Sequence, residues 1–308
     1  MGERLSQAGL IRSLLFCPAN EPRKVARLSR SGADAVVLDL EDAVAKGEKV
    51  SARRSAREAL PTVRNALRCV RVNAFDTGLT PGDVEAVVCE DIDALLLPKV
   101  ETAADMRRLD RLISKAEEKN RLAHGRVRVI ALVETCAGIA AAAEIATSGS
   151  RLITLVLGSG DLGSDLGLPT ILGDLGGALA YGRAKIVYDA RAAGLPPPLD
   201  GPFLKVRDQA LLEQDCIVSR SLGHRGRVCI HPDQVPVVNR IYGPDPDEVL
   251  FARKVVDAFV EAERTGSASI AVDGVFVDYP IVHKAERIIA LADAIAARAR
   301  EHPWANAR

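Results

Sequence analysis

Aromatic side chains are scarce in this chain: they make up 4% of its 308 residues, against 48% hydrophobic residues in all. A core built from such a sequence is aliphatic, and the length suffices for an α/β barrel of roughly 250 residues with some chain left over. Net charge is absent as well. Lysine plus arginine and aspartate plus glutamate both total 41, so no overall basic field exists to hold nucleic acid, and small molecules or other protein chains are the expected partners. The six cysteines, Cys17, Cys69, Cys89, Cys136, Cys216 and Cys229, form no CxxC and no metal-finger spacing. Several sit inside apolar runs such as Arg68 to Val72 and read as reduced core residues of a cytosolic protein. Met1 to Ile11 lacks the apolar core of a signal peptide, and no apolar stretch approaches the ~20 residues of a membrane span. The expected location is cytoplasmic. No Walker or Rossmann phosphate loop, internal repeat or low-complexity tract is present.

What is present is a regular alternation. Strands are expected at Ser13 to Cys17, Ala35 to Leu40, Cys69 to Val72, Ala94 to Leu97, Val127 to Val133, Leu152 to Leu157, Pro196 to Gly201 and Arg227 to Ile230, with helical segments between them. Eight strand-helix units predict a (β/α)8 TIM barrel rather than an open sheet. The turn-rich run Tyr242-Gly-Pro-Asp-Pro-Asp247 ends it, giving a catalytic barrel over 1–243 and a C-terminal extension over 244–308. That extension reads as helix, hairpin and helix: about Glu248 to Glu263, then Ser269 to Val277 around Asp273-Gly274, then His283 to Ala297. It is too short to hold a core alone, and is expected to pack on the barrel or on a neighbouring subunit.

Parallel strands of a barrel deliver their last residues to one face, where active sites of that architecture lie. The residues delivered here are Asp39, Glu41 and Asp42; Arg71 and Asn73; Lys99; Glu134; Asp161; and His231. Five carboxylates around one mouth are costly to bury without mutual pairing or a metal. Glu134 and Asp161 either cap the helices that follow them or share a hard cation. With no cysteine pair and no HxxxH motif, the oxygen donors suit Mg²⁺ or Mn²⁺, which take one or two protein carboxylates and leave positions for substrate oxygens. Such a cation polarises the carbonyl of a 2-keto or 3-hydroxy acid, and Arg71 complements a carboxylate or a developing enolate.

Seven segments, in order along the chain, resemble the citrate lyase β-subunit-like family, grouped with the malyl-CoA lyases and HpcH/HpaI aldolases. They are Arg12-Ser-Leu-Leu-Phe-Cys-Pro-Ala-Asn20, Leu38-Asp-Leu-Glu-Asp42, Val70-Arg-Val-Asn73, Leu97-Pro-Lys-Val-Glu101, Glu134-Thr135, Gly158-Ser-Gly-Asp-Leu162 and Ile230-His-Pro-Asp-Gln234. Val272-Asp-Gly-Val-Phe-Val-Asp278 extends the likeness into the tail. The resemblance implies a Mg²⁺-dependent carbon–carbon lyase acting on a 3-hydroxy acid, often as its CoA thioester. It assigns the metal to Glu134 and Asp161, the substrate carboxylate to Arg71, and the orientation of metal-bound water to Glu41 and Asp42. Asp278 becomes an acid/base supplied across a subunit interface, in a homo-oligomer for which a trimer is favoured. Relatives commonly carry Arg and Glu where this chain has Ala137 and Gly160, which bears on the substrate more than on the metal; Gly160 is grouped with the substrate-binding residues.

Several residues keep two readings. Arg12, Arg23 and Lys24 either contact the phosphates of a thioester handle or are solvated helix-face charges. Lys99 either binds a carboxylate or neutralises Glu41 or Asp39. His231 suits a structural hydrogen bond better than proton transfer. Cys17 and Cys136 read as pocket wall, because no base is positioned beside them. For function, the alternatives to a lyase are a malyl-type CoA thioesterase, a β subunit active only with an acyl-carrier partner, and a metabolite-binding barrel.

Overall fold

A computed structural model describes residues 10–169 and 176–301. Eight parallel strands close in sequence order: β1 Ser13–Pro18, β2 Ala35–Asp39, β3 Leu67–Arg71, β4 Ala94–Leu97, β5 Arg128–Val133, β6 Leu152–Leu157, β7 Leu199–Asp200 and β8 Gly226–Cys229, with β8 paired to β1. Helices surround them, making the (β/α)8 barrel that the alternation predicts. No helix among the described residues is long and apolar enough to cross a membrane.

Side chains alternate between the two faces of a strand, and one set meets at the centre. Leu14, Val37, Cys69, Leu96, Ile130, Leu132, Val156, Leu199 and Val228 belong to a single buried cluster fed by all eight strands, so this set fills the barrel. Two residues further along each strand, the same face carries Phe16, Asp39, Arg71, Glu134 and Gly158. The aliphatic plug thus passes directly into a polar layer at the C-terminal mouth.

Differences from the expected elements have local causes. β7 is only two residues long, because Pro196, Pro197 and Pro198 cannot donate to a ladder. The helical segment between β5 and β6 is two short helices, Cys136–Ala140 and Ala142–Ala146. Thr135 caps the first, accepting from the Gly138 N–H at 3.0 Å.

The chain divides into two compact units, Met1–Asn239 and Arg240–Arg308. Within the second, the helices Pro246–Arg264 and Tyr279–Glu301 flank a hairpin of β9 (Ile270–Val272) and β10 (Val275–Val277). Asp273 and Gly274 both have positive φ, +50° and +80°, as a two-residue hairpin turn of the I′ kind requires. Contrary to the expectation from length, Ala252, Val255, Phe259, Val272, Val277 and Val282 form a small core of the extension's own, because two long helices close over the hairpin.

Candidate active site

Register places the first pair. Asp39 is directly opposite Arg71 across β2 and β3, and its two carboxylate oxygens accept from Arg71 Nε and Nη2, each at 2.6 Å. The same oxygens accept the backbone N–H groups of Glu41 (2.9 Å) and Ala43 (3.0 Å), so Asp39 folds the loop that carries Glu41 and Asp42. Phe16 faces the guanidinium, with Arg71 Cζ 5.0 Å from the ring centroid. What Arg71 leaves outward is Nη1, 3.0 Å from Glu41 Oε2 without hydrogen-bonding geometry, and 3.8 Å from Asp42.

Glu134 is buried, and its Oε1 accepts from the backbone N–H of Lys99 at 2.9 Å. Lys99 has φ +50°, an uncommon conformation for a residue with a side chain. Its ammonium lies 3.7 Å from Glu41 Oε1, in agreement with the neutralising reading. Gly158 lies under Glu134: a Cβ there would stand 2.3 Å from both Glu134 Cβ and Oε2. Gly158→Ala is therefore expected to cost about 1–3 kcal/mol of stability. Thermal unfolding of the variant beside the unsubstituted chain checks this.

Neither acid serves as a helix cap. Thr135 takes that role after β5, and the helix Ser159–Asp165, which contains Asp161, has no side-chain cap. Burial, the charge of Asp161 and the charge of Glu41 together push the Glu134 carboxyl well above the usual carboxylate range. Glu41 is pushed up to about 7, by burial first, with Arg71 pulling down and Asp42 pushing up. Lys99 is raised because Glu41 and Asp161 outweigh its own partial burial. The mouth therefore carries more negative charge than Arg71 and Lys99 balance.

A divalent cation fits this deficit. Among the described residues no group of three or more His, Cys, Asp or Glu side chains is arranged to hold a metal. A carboxylate pair completed by water and substrate oxygens is the way Mg²⁺ is commonly held.

Glu41 supplies a pH dependence. Its carboxyl is raised from 4.5 to about 7 on folding, so between those values the folded protein keeps a proton that the unfolded chain has lost. That contribution is complete below about 4.5 and disappears as pH rises to about 7. In metal-free protein, Glu41→Gln should gain on the unsubstituted chain by about 2 kcal/mol between pH 5 and pH 8, read from urea midpoints. A gap independent of pH would show that Glu41 is not held protonated.

The remaining candidates are distributed as follows. Lys24 is exposed, 3.6 Å from Glu21, on the short helix Pro22–Val25 that follows β1. Arg12 precedes β1, at the end of the barrel opposite the mouth, and is fixed to Asp34 through Nε (2.8 Å) and Nη2 (3.0 Å). It does not join the polar layer, because the chain must traverse β1 before reaching that face. Gly160 is exposed, and a Cβ there would meet nothing within 4 Å. His231 makes a local contact, Nδ1 accepting from the Asp233 N–H at 3.2 Å. The Cys136 N–H donates to Asp165 at 2.6 Å. Asp278 belongs to the second unit, where its Oδ1 accepts from the Ile281 N–H at 3.4 Å near the start of the last helix.

Two features were not singled out from the sequence. One is the role of Asp39 as the anchor of Arg71. The other is a buried ion network outside the plug, in which Arg183 and Arg227 share Asp200 and Asp215. The period-two pattern signals the face of each residue but not its partner: Asp39 falls on the inward face two residues after Val37, and Arg227 on the outward face beside Val228.

Comparison with known proteins places this geometry. The sequence model of the HpcH/HpaI aldolase/citrate lyase family matches residues 12–232. The chain is 37% identical to the citrate lyase subunit beta of Leuconostoc mesenteroides subsp. cremoris, covering 92% of this chain and 94% of that protein. It is 36% identical to a (3S)-malyl-CoA thioesterase of Cereibacter sphaeroides, covering 94% and 98%. Among solved structures, CitE of Mycobacterium tuberculosis in complex with magnesium, acetoacetate and coenzyme A superposes with a TM-score of 0.74. That match has 31% identity and covers 93% of this chain and 99% of the other.

Proposed function

We propose, from the premise that this chain belongs to the HpcH/HpaI aldolase/citrate lyase family of lyases, that it is a Mg²⁺-dependent carbon–carbon lyase. Its substrate is a 3-hydroxy acid carried as a malyl- or citramalyl-type CoA thioester. The observation that carries the reading is the surplus of carboxylate at the barrel mouth, where Glu134 is raised by burial and by the charges of Asp161 and Glu41, with a guanidinium fixed nearby by Asp39. The magnesium and coenzyme A in the CitE complex support the same cofactor and handle; Mn²⁺ is the substitute to be tried.

Glu134 and Asp161 would hold the cation, which supplies Lewis-acid polarisation of the substrate oxygens. The chain's own groups do the rest. Arg71, fixed by Asp39, presents Nη1 to the substrate carboxylate and to the charge that develops on the enolate. The hydroxyl proton passes to a carboxylate base as the carbon–carbon bond breaks; its electron pair becomes the enolate, which is reprotonated to the acyl-CoA product. Asp278, supplied by a neighbouring copy in a homo-oligomer with a trimer favoured, is proposed as that acid/base. Glu41 and Asp42 orient water around Glu134 and Asp161. Lys24 and Gly160 border the substrate, and Lys24 offers its charge to the phosphates of the handle.

The test is incubation with Mg²⁺ and malyl-, citramalyl- or β-methylmalyl-CoA, following keto acid and free thiol in parallel. Keto acid that disappears with chelator is the expected result. The 36% identity to a malyl-CoA thioesterase favours one second reading, hydrolysis at the same site, which would give free thiol without keto acid. Silence in both channels, broken only by adding an acyl-carrier protein, would mark a subunit of a citrate lyase complex, as the 37% identical β subunit suggests.

A further inference from the structure

Arg71 is held more tightly than a group reaching for substrate needs to be. Both of its inner nitrogens are bonded at 2.6 Å to one fully buried carboxylate. That carboxylate takes two backbone N–H groups as well, so each oxygen has two donors. A planar guanidinium with one edge pinned and one face against Phe16 has no remaining rotational freedom about its terminal bonds. Its third nitrogen, Nη1, 3.0 Å from Glu41 Oε2, then points in one direction only. Leu40 reinforces the arrangement, its N–H donating to the Arg71 carbonyl at 3.0 Å.

We propose that Asp39, together with Phe16, is a positioning residue for the reaction, aiming Arg71 Nη1 at the substrate carboxylate while touching no substrate itself. This rests on the reading of Arg71 given above. Asp39 pre-pays the ordering of a flexible side chain, so that substrate binding need not. It also links substrate recognition to the loop bearing Glu41 and Asp42, because the same carboxylate organises both.

Asp39→Asn keeps the size and removes the charge and one bidentate acceptor. The probe is pyruvate, titrated calorimetrically with Mg²⁺ present, and the affinity for Mg²⁺ alone is measured beside it. The expected result is a pyruvate Kd at least tenfold weaker, with Mg²⁺ affinity within twofold of the unsubstituted protein, since Glu134 and Asp161 are untouched. A merely structural role would move both. If Asp39→Asn does not fold, Phe16→Leu decides: an unchanged melting temperature with pyruvate weakened about threefold supports the proposal, and unchanged binding overturns it. Pyruvate binding within twofold of normal in a folded Asp39→Asn protein also overturns it. Arg71→Ala separates the two layers of argument. If that variant binds pyruvate normally, or the unsubstituted protein binds none, the reading of Arg71 fails and this inference with it. If Arg71→Ala loses binding and Asp39→Asn does not, only the positioning role falls.

Discussion

Replacing Glu134 by glutamine is expected to lower lyase turnover about a hundred- to a thousandfold and, in metal-free protein, to raise the melting temperature. The two effects share a cause. Glu134 is buried next to Asp161 and Glu41, all of one sign, and its carboxyl is pushed well up by burial and by both neighbours. Glutamine removes the charge that is costly to bury and keeps an oxygen for the Lys99 N–H, now 2.9 Å from Glu134 Oε1. Its new amide N–H groups can donate to the neighbouring carboxylates. A gain in stability at neutral pH follows from the lost titration, since glutamine has no proton to hold. Because the variant lacks one of two proposed ligands, added Mg²⁺ should raise the melting temperature of the unsubstituted protein and leave that of Glu134→Gln nearly unchanged. Loss of stability in the metal-free variant would mean that Glu134 is a structural anchor. Retained turnover would remove it from the site.

The strand ends were legible from the sequence because the argument needs only period and direction. Short apolar runs such as Leu152–Leu157 read as strands, and eight strand segments alternating with helices leave few topologies. Once the strands are parallel, Arg71 and Glu134 fall at one mouth whatever their neighbours. The partners were not legible, since pairing depends on register. Asp39 meets Arg71 because β2 and β3 align Val37 with Cys69, and nothing in either segment alone states that alignment. The N–H that Glu134 receives comes from Lys99, whose positive φ follows Pro98 but falls on a residue that is not glycine. Arg12 illustrates the converse error: proximity to a strand in sequence says nothing until the end of the strand is specified. Arg12 is on the entry side, bound to Asp34, while Lys24 is on the exit side.

Register also hid the buried ion network around Asp200, which carries the largest expected loss of stability. Asp200 on β7 aligns with Arg227 on β8, and both point away from the plug toward the surrounding helices. Asp200 accepts from Arg183 Nε at 3.3 Å, Arg227 Nη2 at 3.2 Å and the Gly201 N–H at 2.8 Å, and Arg183 Nη2 is ion-paired with it at 2.8 Å. Although burial opposes it, the charges of Arg227, His224 and Arg183 hold Asp200 well below the usual carboxylate range. A carboxylate depressed in this way contributes stability above its unfolded pKa and loses it as pH falls through the folded one, so its influence is felt in acid. Asp200→Ala leaves two buried arginines sharing the partly exposed Asp215, and is expected to cost about 3–5 kcal/mol in urea unfolding at neutral pH. Restoring the balance should recover part of the loss. Arg183→Met added to Asp200→Ala removes the surplus charge, and the double variant should be more stable than Asp200→Ala alone. Turnover per folded molecule should change little, because this network lies outside the plug and the catalytic layer lies on its inner face. A cost below about 1 kcal/mol for Asp200→Ala would assign the closure of the barrel at its shortest strand to backbone pairing and packing rather than to these charges.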